Sequence, residues 1–278
     1  MKKYSKIIIA FLFITAMLIT TACGSTTDGF KIGVVTGTTF EEKAQEFGKV
    51  SEVSLYKDDN LTLQELSTGR IDGVITDRFV GLYAIQEGNF SNIKTAGDLL
   101  YNETIAVAVR QDDTSLRQAI NQALSDLIAD GTYGQISEKY FGTDISQGVE
   151  YPATFPDEEQ ATDDSLNRVI EKGEISFAMS GGYPPFNYFT TEDELTGFDV
   201  EIGQEVAKRL GVKYTSVTTD WSGILEGLRS GRYDGIFGSM AITDERLETV
   251  DFTNPYYLSG AQLFVQESSS ISGPEDLE

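Results

Sequence analysis

Arg246, Asp77 and the run Gly37-Thr38-Thr39 are the places where this 278-residue chain carries groups suited to holding a small charged molecule. The planar guanidinium of Arg246, in Ala241–Arg246 (AITDER), can grip a carboxylate through two parallel hydrogen bonds. Gly37-Thr38-Thr39 follows an apolar run and opens a helical pattern, and free amides at such a strand-to-helix turn favour an anion. Taken one at a time, each has an ordinary structural explanation. Arg246 reads as a helix-surface arginine beside a glutamate, and Asp77 as the N-cap of the helix that follows it. Thr38 and Thr39 read as cap residues, and Tyr183, Phe186 and Trp221 as core. There is no histidine and a single cysteine, Cys23, which removes the commonest general base, the commonest metal ligand, an internal disulfide and a cysteine-rich metal site. No metal and no cofactor is expected.

The elements that must position these residues alternate. Ile32–Val35, Val53–Tyr56, Asp72–Thr76 and Ile105–Val109 read as strands, and Thr38–Phe47, Leu61–Leu66 and Arg78–Gln86 as helices between them. Residues 114–141 are helical, with Leu116, Ile120, Leu124, Leu127 and Ile128 on one face and Gly131 as a stop. Residues 143–164 hold two of the six prolines and an acidic cluster without the glycine-centred spacing of a calcium loop, and read as a solvated linker. A second unit follows. Ile175–Met179, Lys213–Val217, Tyr233–Phe237 and Ala261–Val265 read as strands, with helices over Val200–Leu210 and Trp221–Leu228. This spacing argues for α/β architecture with mostly parallel sheets and flanking helices.

At the N-terminus, Met1–Lys6 is basic and Ile7–Ile19 supplies thirteen apolar residues, the length of a signal h-region and too short to span a bilayer. Thr20-Thr21-Ala22-Cys23 resembles a bacterial lipobox, with Thr20 in place of the usual leucine. Residues 1–22 are therefore expected to be a signal peptide, and residues 23–30 a tether lipidated on Cys23 and anchored to the cell membrane without a spanning helix. With Lys2, Lys3 and Lys6 removed, eighteen basic residues face 44 acidic ones, a net charge of −26. Such a surface repels phosphate backbones and argues against nucleic-acid binding.

Read in order, the motifs narrow the field. The second unit runs GGYPPFNY (181–188), GFDV (197–200), DWSG (220–223), LRSGRYDG (228–235), ITDER (242–246) and DFTNPYY (251–257). The first runs GVVTGTTFEE (33–42), GRIDGVITD (69–77), IAVAVR (105–110) and DGTYGQISEKYFG (130–142). This resembles the polar amino-acid-binding proteins of bacterial ABC importers, solute-binding family 3, over essentially all of residues 31–278 outside the linker. The order departs from the family. There GYPPF…ITDER…PYY comes first, and GPEDL followed by the strand KIGVVT comes second. Here the chain ends on Gly273–Glu278 (GPEDLE) and that strand stands near its beginning. Each motif occurs once, so the resemblance implies a circular permutation. Residues 143–164 then join the family's old termini, and so long a segment reaches roughly 65–80 Å when extended. The competing reading is a dimer that swaps complementary half-modules.

The resemblance implies a two-lobed fold of the type II periplasmic-binding kind, with the ligand in the hinge cleft. Lobe 2 would comprise residues 31–110 completed by 262–278, and lobe 1 residues 111–261. It implies a non-enzymatic, extracytoplasmic, monomeric receptor that closes on a free amino acid and delivers it to the permease subunits of an ABC importer. The alternatives are a sensor or accessory lipoprotein of the same fold, or an enzyme carrying out an elimination on a small carboxylate. The ligand carboxylate would meet Arg246 and the amides at Thr38 and Thr39, its ammonium Asp77, and its side chain the walls Tyr183 and Trp221, with Ser180, Ser239 and Ala241 completing the pocket. Ala241 stands where many members have Ser or Thr, and Ser180 where many have Asp or Glu. The latter favours a neutral polar or aromatic amino acid over a cationic one.

Overall fold

Parallel pairing begins at the first strand of the computed structural model, which describes residues 29–87, 90–149 and 161–278. The signal peptide, Cys23 and most of its tether, and residues 150–160 of the acidic linker lie outside the described residues. β1 (Phe30–Val35) lies between β2 (Val50–Tyr56) and β3 (Gly73–Asp77), parallel to both. Every residue of β3 is buried, as expected for a parallel strand covered on both faces. The covering helices are α1 (Thr39–Glu46), α2 (Asp59–Ser67) and α3 (Arg78–Gln86). The Asp58 and Asp77 side chains cap α2 and α3 by accepting from the backbone N–H groups of Leu61 and Phe79.

Two long strands carry the sheet onward. β4 (Ile93–Arg110) runs for 18 residues, about 60 Å at the usual rise per residue. Beyond it the chain forms α4 (Thr114–Ala129), α5 (Thr132–Phe141), α6 (Ser165–Lys172) and β5 (Glu174–Met179). A small three-stranded sheet follows, built from β6 (Gly182–Tyr183), β7 (Asn187–Phe189) and β8 (Leu195–Thr196). Then come α7 (Phe198–Leu210), β9 (Lys213–Thr218), α8 (Ile224–Arg229), β10 (Gly235–Ala241), α9 (Asp244–Leu247), β11 (Val250–Phe252) and β12 (Tyr257–Gln266). The large sheet has the order β2-β1-β3-β12-β4-β10-β5-β9, with β11 paired to β4 off this path. Its two arms, β2-β1-β3 and β10-β5-β9, are parallel. The centre, where β12 pairs with β3 and β4 and β4 pairs with β10, is antiparallel.

Separate apolar cores back the two arms. Ile32, Val34, Phe40 and Ile75 pack with Leu263 and Val265 on one side. Phe177, Phe186, Phe198, Phe237, Tyr256 and Tyr257 form an aromatic core on the other. The last residues belong to the first core: Leu277 is fully buried there, and its carbonyl accepts from Lys49 N–H while the Lys49 carbonyl accepts from Phe30 N–H. The end of the chain thus lies one hydrogen-bonded residue away from the start of β1.

Three features differ from the sequence reading. A strand was expected only over Ile105–Val109, yet β4 begins at Ile93, because pairing with β12 from Gln266↔Ile93 to Tyr257↔Ile105 carries a stretch whose own burial pattern is irregular. The small β6-β7-β8 sheet, α6, α9 and β11 were not anticipated. Nor is the described end of the acidic linker a solvated tether. The Asp163 carboxylate accepts from Ser115 N–H at 2.8 Å and from Ser165 N–H at 3.0 Å, so it ties the first turns of α4 and α6 together. No helix among the described residues is long and apolar enough to cross a membrane.

Candidate functional site

The C-terminal ends of the parallel strands in both arms converge on one cleft, the usual place for a ligand in an open α/β sheet. The space within and over it, open solvent included, is about 490 Å³. Eight of the nine ligand-binding residues read from the sequence line it: Thr38, Thr39, Ser180, Tyr183, Trp221, Ser239, Ala241 and Arg246. Asp77 does not.

Arg246 sits on α9, where Thr243 caps the helix by accepting from Arg246 N–H. Its side chain turns back so that Nη1 donates to the Ala241 carbonyl at 2.8 Å, and the guanidinium lies 5.8 Å from the centre of the Trp221 ring. The residue is only 9% exposed, and no ion pair forms to it among the described residues. Burial pulls its pKa down from the ordinary value, and the charge of Glu103 opposes that pull. A buried guanidinium in this state is a ready anion receptor.

Opposite it, β1 turns into α1 through Gly37, whose φ of +75° is the left-handed conformation that glycine adopts without strain. No side chain caps α1: the Thr38 hydroxyl donates to the Val35 carbonyl and the Thr39 hydroxyl to Glu103 Oε1 at 2.5 Å. Trp221 reaches across the cleft from the other arm, and its Nε1 donates to the Gly37 carbonyl at 3.1 Å. Tyr183 stacks on Phe186, which stacks in turn on Tyr257, so the aromatic wall continues into the core.

Ser180 and Ser239 are held from behind. The Ser180 hydroxyl donates to Asn187 Oδ1 at 3.2 Å. Ser239 adopts a positive φ of 58°, a conformation that costs a non-glycine residue on the order of 1–3 kcal/mol. It is kept there because its hydroxyl donates to Asp199 Oδ2 at 2.8 Å and its N–H to the Tyr256 hydroxyl at 3.1 Å. The fully buried Asp199 also accepts from Asn187 and Tyr256. Burial pushes its carboxyl up to about 7.

Asp77 is both the expected helix cap and an incompletely satisfied acid. Oδ1 accepts from Phe79 N–H at 2.7 Å, while the buried Oδ2 makes no hydrogen bond of good geometry, the Ser259 side chain being its nearby polar neighbour. Burial raises the carboxyl to about 6. It does not line the cleft wall, but it lies close enough to Glu103 and Tyr183 to raise the pKa of both.

Sequence reasoning missed Lys57, Asp58, Asp59 and Glu103, all of which line the cleft. Glu103 comes from β4, in the part not read as a strand. Asp58 and Asp59 follow the C-terminal end of β2, and that position was the available signal. Burial pushes Asp59 and Glu103 each to about 7. Among the described residues no cluster could hold a metal ion.

The family model described as bacterial extracellular solute-binding proteins, family 3, matches residues 26–143 and 175–274. The L-cystine-binding protein TcyJ of Escherichia coli (strain K12) is 39% identical over 115 residues, 41% of this chain and 43% of that protein. An L-arginine-binding protein of Pseudomonas aeruginosa is 36% identical over 101 residues, 36% of this chain and 39% of its own length. Cyclohexadienyl dehydratase of the same species is 35% identical over 101 residues, 36% of this chain and 38% of its own length. The chain spans about two fifths of the length of these curated relatives.

Proposed function

From the premise that the chain belongs to the bacterial extracellular solute-binding proteins of family 3, we propose that it is an extracytoplasmic receptor for a free amino acid, bound between the two arms of the sheet and handed to an ABC permease. One observation carries the reading: a buried guanidinium without an ion pair and a buried carboxylate oxygen without a hydrogen bond of good geometry are brought within electrostatic reach of one cleft. These are the two groups that a zwitterion satisfies. The α-carboxylate takes Arg246 and the amides that open α1, and the α-ammonium takes Asp77. Tyr183 and Trp221 flank the side chain. The Trp221–Gly37 hydrogen bond joins the two arms over the cleft and belongs to the closed form. A ligand that touches both arms favours that form through its differential affinity. Hydrogen bonds to charged groups contribute about 1.5–3 kcal/mol each, and three or four of them, less the cost of ordering, are compatible with micromolar binding.

The same reading takes residues 31–110 with 262–278 as one lobe and 111–261 as the other, in permuted order within a single, monomeric chain, although the end of β4 (105–110) pairs with β10 and β11 of the second arm and packs in its core. The pairing of β12 with β3 and the meeting of Leu277, Lys49 and Phe30 support it. It also places the protein on the cell membrane through Cys23. An eliminating enzyme is the second reading. Glu103, titrating near neutrality inside the cleft, supplies the acid or base that such a reaction needs. Product formation from a bound carboxylate would decide for it.

Trp221 is the chain's single tryptophan, so closure is testable by its emission. Titration with each of the twenty amino acids should give a saturable change for one or a few of them. A folded chain whose emission responds to none contradicts the receptor reading.

A further inference from the structure

The buried charges around the cleft do not balance for a simple zwitterion. A neutral amino acid brings one anion for Arg246 and one cation for Asp77. Glu103 and Asp59 then remain. Both line the cleft, at 6% and 4% exposure, and neither forms an ion pair among the described residues. Each accepts one side-chain hydrogen bond at 2.5 Å, Glu103 from Thr39 and Asp59 from Thr76. Asp58 differs, being 3.7 Å from Lys57 and engaged as the cap of α2. A carboxylate withdrawn from water is costly: burial pushes both carboxyls up, and for Glu103 the charge of Arg246 opposes that shift only in part.

A second observation falls on the same spot. The hydroxyls of Tyr257 and Ser259 and Oδ2 of Asp77 are buried and make no hydrogen bond of good geometry, although the Ser259 hydroxyl lies near enough to Asp77 to lower its pKa. The β12–β4 register sets Ser259 opposite Glu103, and the β12–β3 register sets Ala261 opposite Asp77. Side chains two apart on a strand share a face. These groups therefore collect on one face beside Glu103. Across the cleft, Tyr183 and Trp221 offer aromatic surface to an aliphatic stem or a cation.

We infer that Glu103 is the specificity-determining residue of this cleft, and that the ligand is a dibasic amino acid whose second cationic group pairs with Glu103, with Asp59 as a further acceptor. The inference rests on the receptor reading given above. It reverses the expectation drawn from Ser180: the acid for the ligand side chain comes from the opposite arm, while Ser180 is occupied with Asn187.

The test is calorimetric titration of the purified full chain with lysine, ornithine and arginine, and with norleucine and glutamine as counterparts lacking the charge. Lysine should bind about 10- to 150-fold more tightly than norleucine, the range expected for a hydrogen bond to a charged group. Glu103→Gln keeps the side-chain volume and an acceptor for Thr39, and should remove that preference, bringing lysine down to the affinity of norleucine. Norleucine or glutamine binding the parent chain as tightly as lysine overturns the inference and leaves the receptor reading standing. An unchanged lysine preference in Glu103→Gln overturns the assignment to Glu103. A cooperatively folded parent chain that binds none of the five under conditions where another amino acid binds overturns the inference alone. If no amino acid binds, the receptor reading falls with it.

Discussion

Replacing Arg246 by alanine separates binding from folding more sharply than any other change in the cleft. In the proposed complex the guanidinium makes two charge-assisted hydrogen bonds to the ligand carboxylate, at about 1.5–3 kcal/mol each. Losing both removes about 3–6 kcal/mol, on the order of a hundredfold to ten-thousandfold in Kd. The unliganded protein loses much less. The Ala241 carbonyl gives up the donor now 2.8 Å away, and Trp221 loses its cation. Each loss is about 1 kcal/mol. Against them, a guanidinium held at 9% exposure without an ion pair no longer has to be stripped of water. The net change should stay near 1 kcal/mol, about 2–4 °C in melting temperature for a chain of this size. Calorimetric titration against the ligand, paired with a melting curve of the unliganded variant, reads both quantities. Arg246→Lys keeps the charge but not the planar fork, and should fall between parent and alanine. Affinity within threefold of the parent in Arg246→Ala would refute the placement of the carboxylate. Loss of affinity accompanied by a collapse of the melting temperature would mean that Arg246 serves the fold.

Three further outcomes are expected. Burial raises the carboxyls of Asp59, Asp77, Glu103 and Asp199 to about 7, 6, 7 and 7, so the native state holds protons that the unfolded chain has released. This stabilisation is complete below the ordinary carboxyl range and is lost as pH rises through about 6 to 7, so the unliganded chain should melt higher at about pH 5.5 than at about pH 8, and a melting temperature that climbs over that interval contradicts the burial of these acids. Trp221→Phe keeps an aromatic wall but removes the donor to the Gly37 carbonyl, and should weaken the ligand about 2- to 12-fold in calorimetry, mainly through faster release. Asp199→Ala strands the hydrogen-bonding groups of Asn187, Ser239 and Tyr256, and should cost about 3–5 kcal/mol in denaturant unfolding; a loss under 1 kcal/mol would deny that network its role in holding the strained Ser239.

The parts of the fold that were legible in the sequence are those where a local signal and the tertiary environment agree. α3 runs over Arg78–Gln86 as read, because Asp77 both ends a buried strand and caps the helix. α4 and α5 follow the apolar spacing, with Gly131 at a positive φ between them. What was hidden depends on pairing at a distance. The first half of β4 has no alternation of its own and exists because β12 lies beside it. Glu103 stands just before the apolar run IAVAV, so its residue type carried no mark of a site until β12 and Thr39 were brought against it. Asp163 looked like one acid among many in a polar stretch, and only the convergence of α4 and α6 gives it four donors to accept from. The ligand preference was drawn from Ser180 alone, a single position on one arm. The charge balance of the cleft is a sum over both arms, and local sequence does not contain it.

The most direct test of the central claim is a thermal-shift screen of the chain against the twenty amino acids and a few small carboxylates. A ligand present at about 100 times its Kd adds about 2.7 kcal/mol of stability, a rise of about 5–10 °C for a protein of this size. The account predicts such a rise with one or a few amino acids and none with the simple carboxylates, which satisfy Arg246 but leave Asp77 without a partner. A cooperative unfolding transition that no amino acid moves, or one that simple carboxylates move as far, would contradict it.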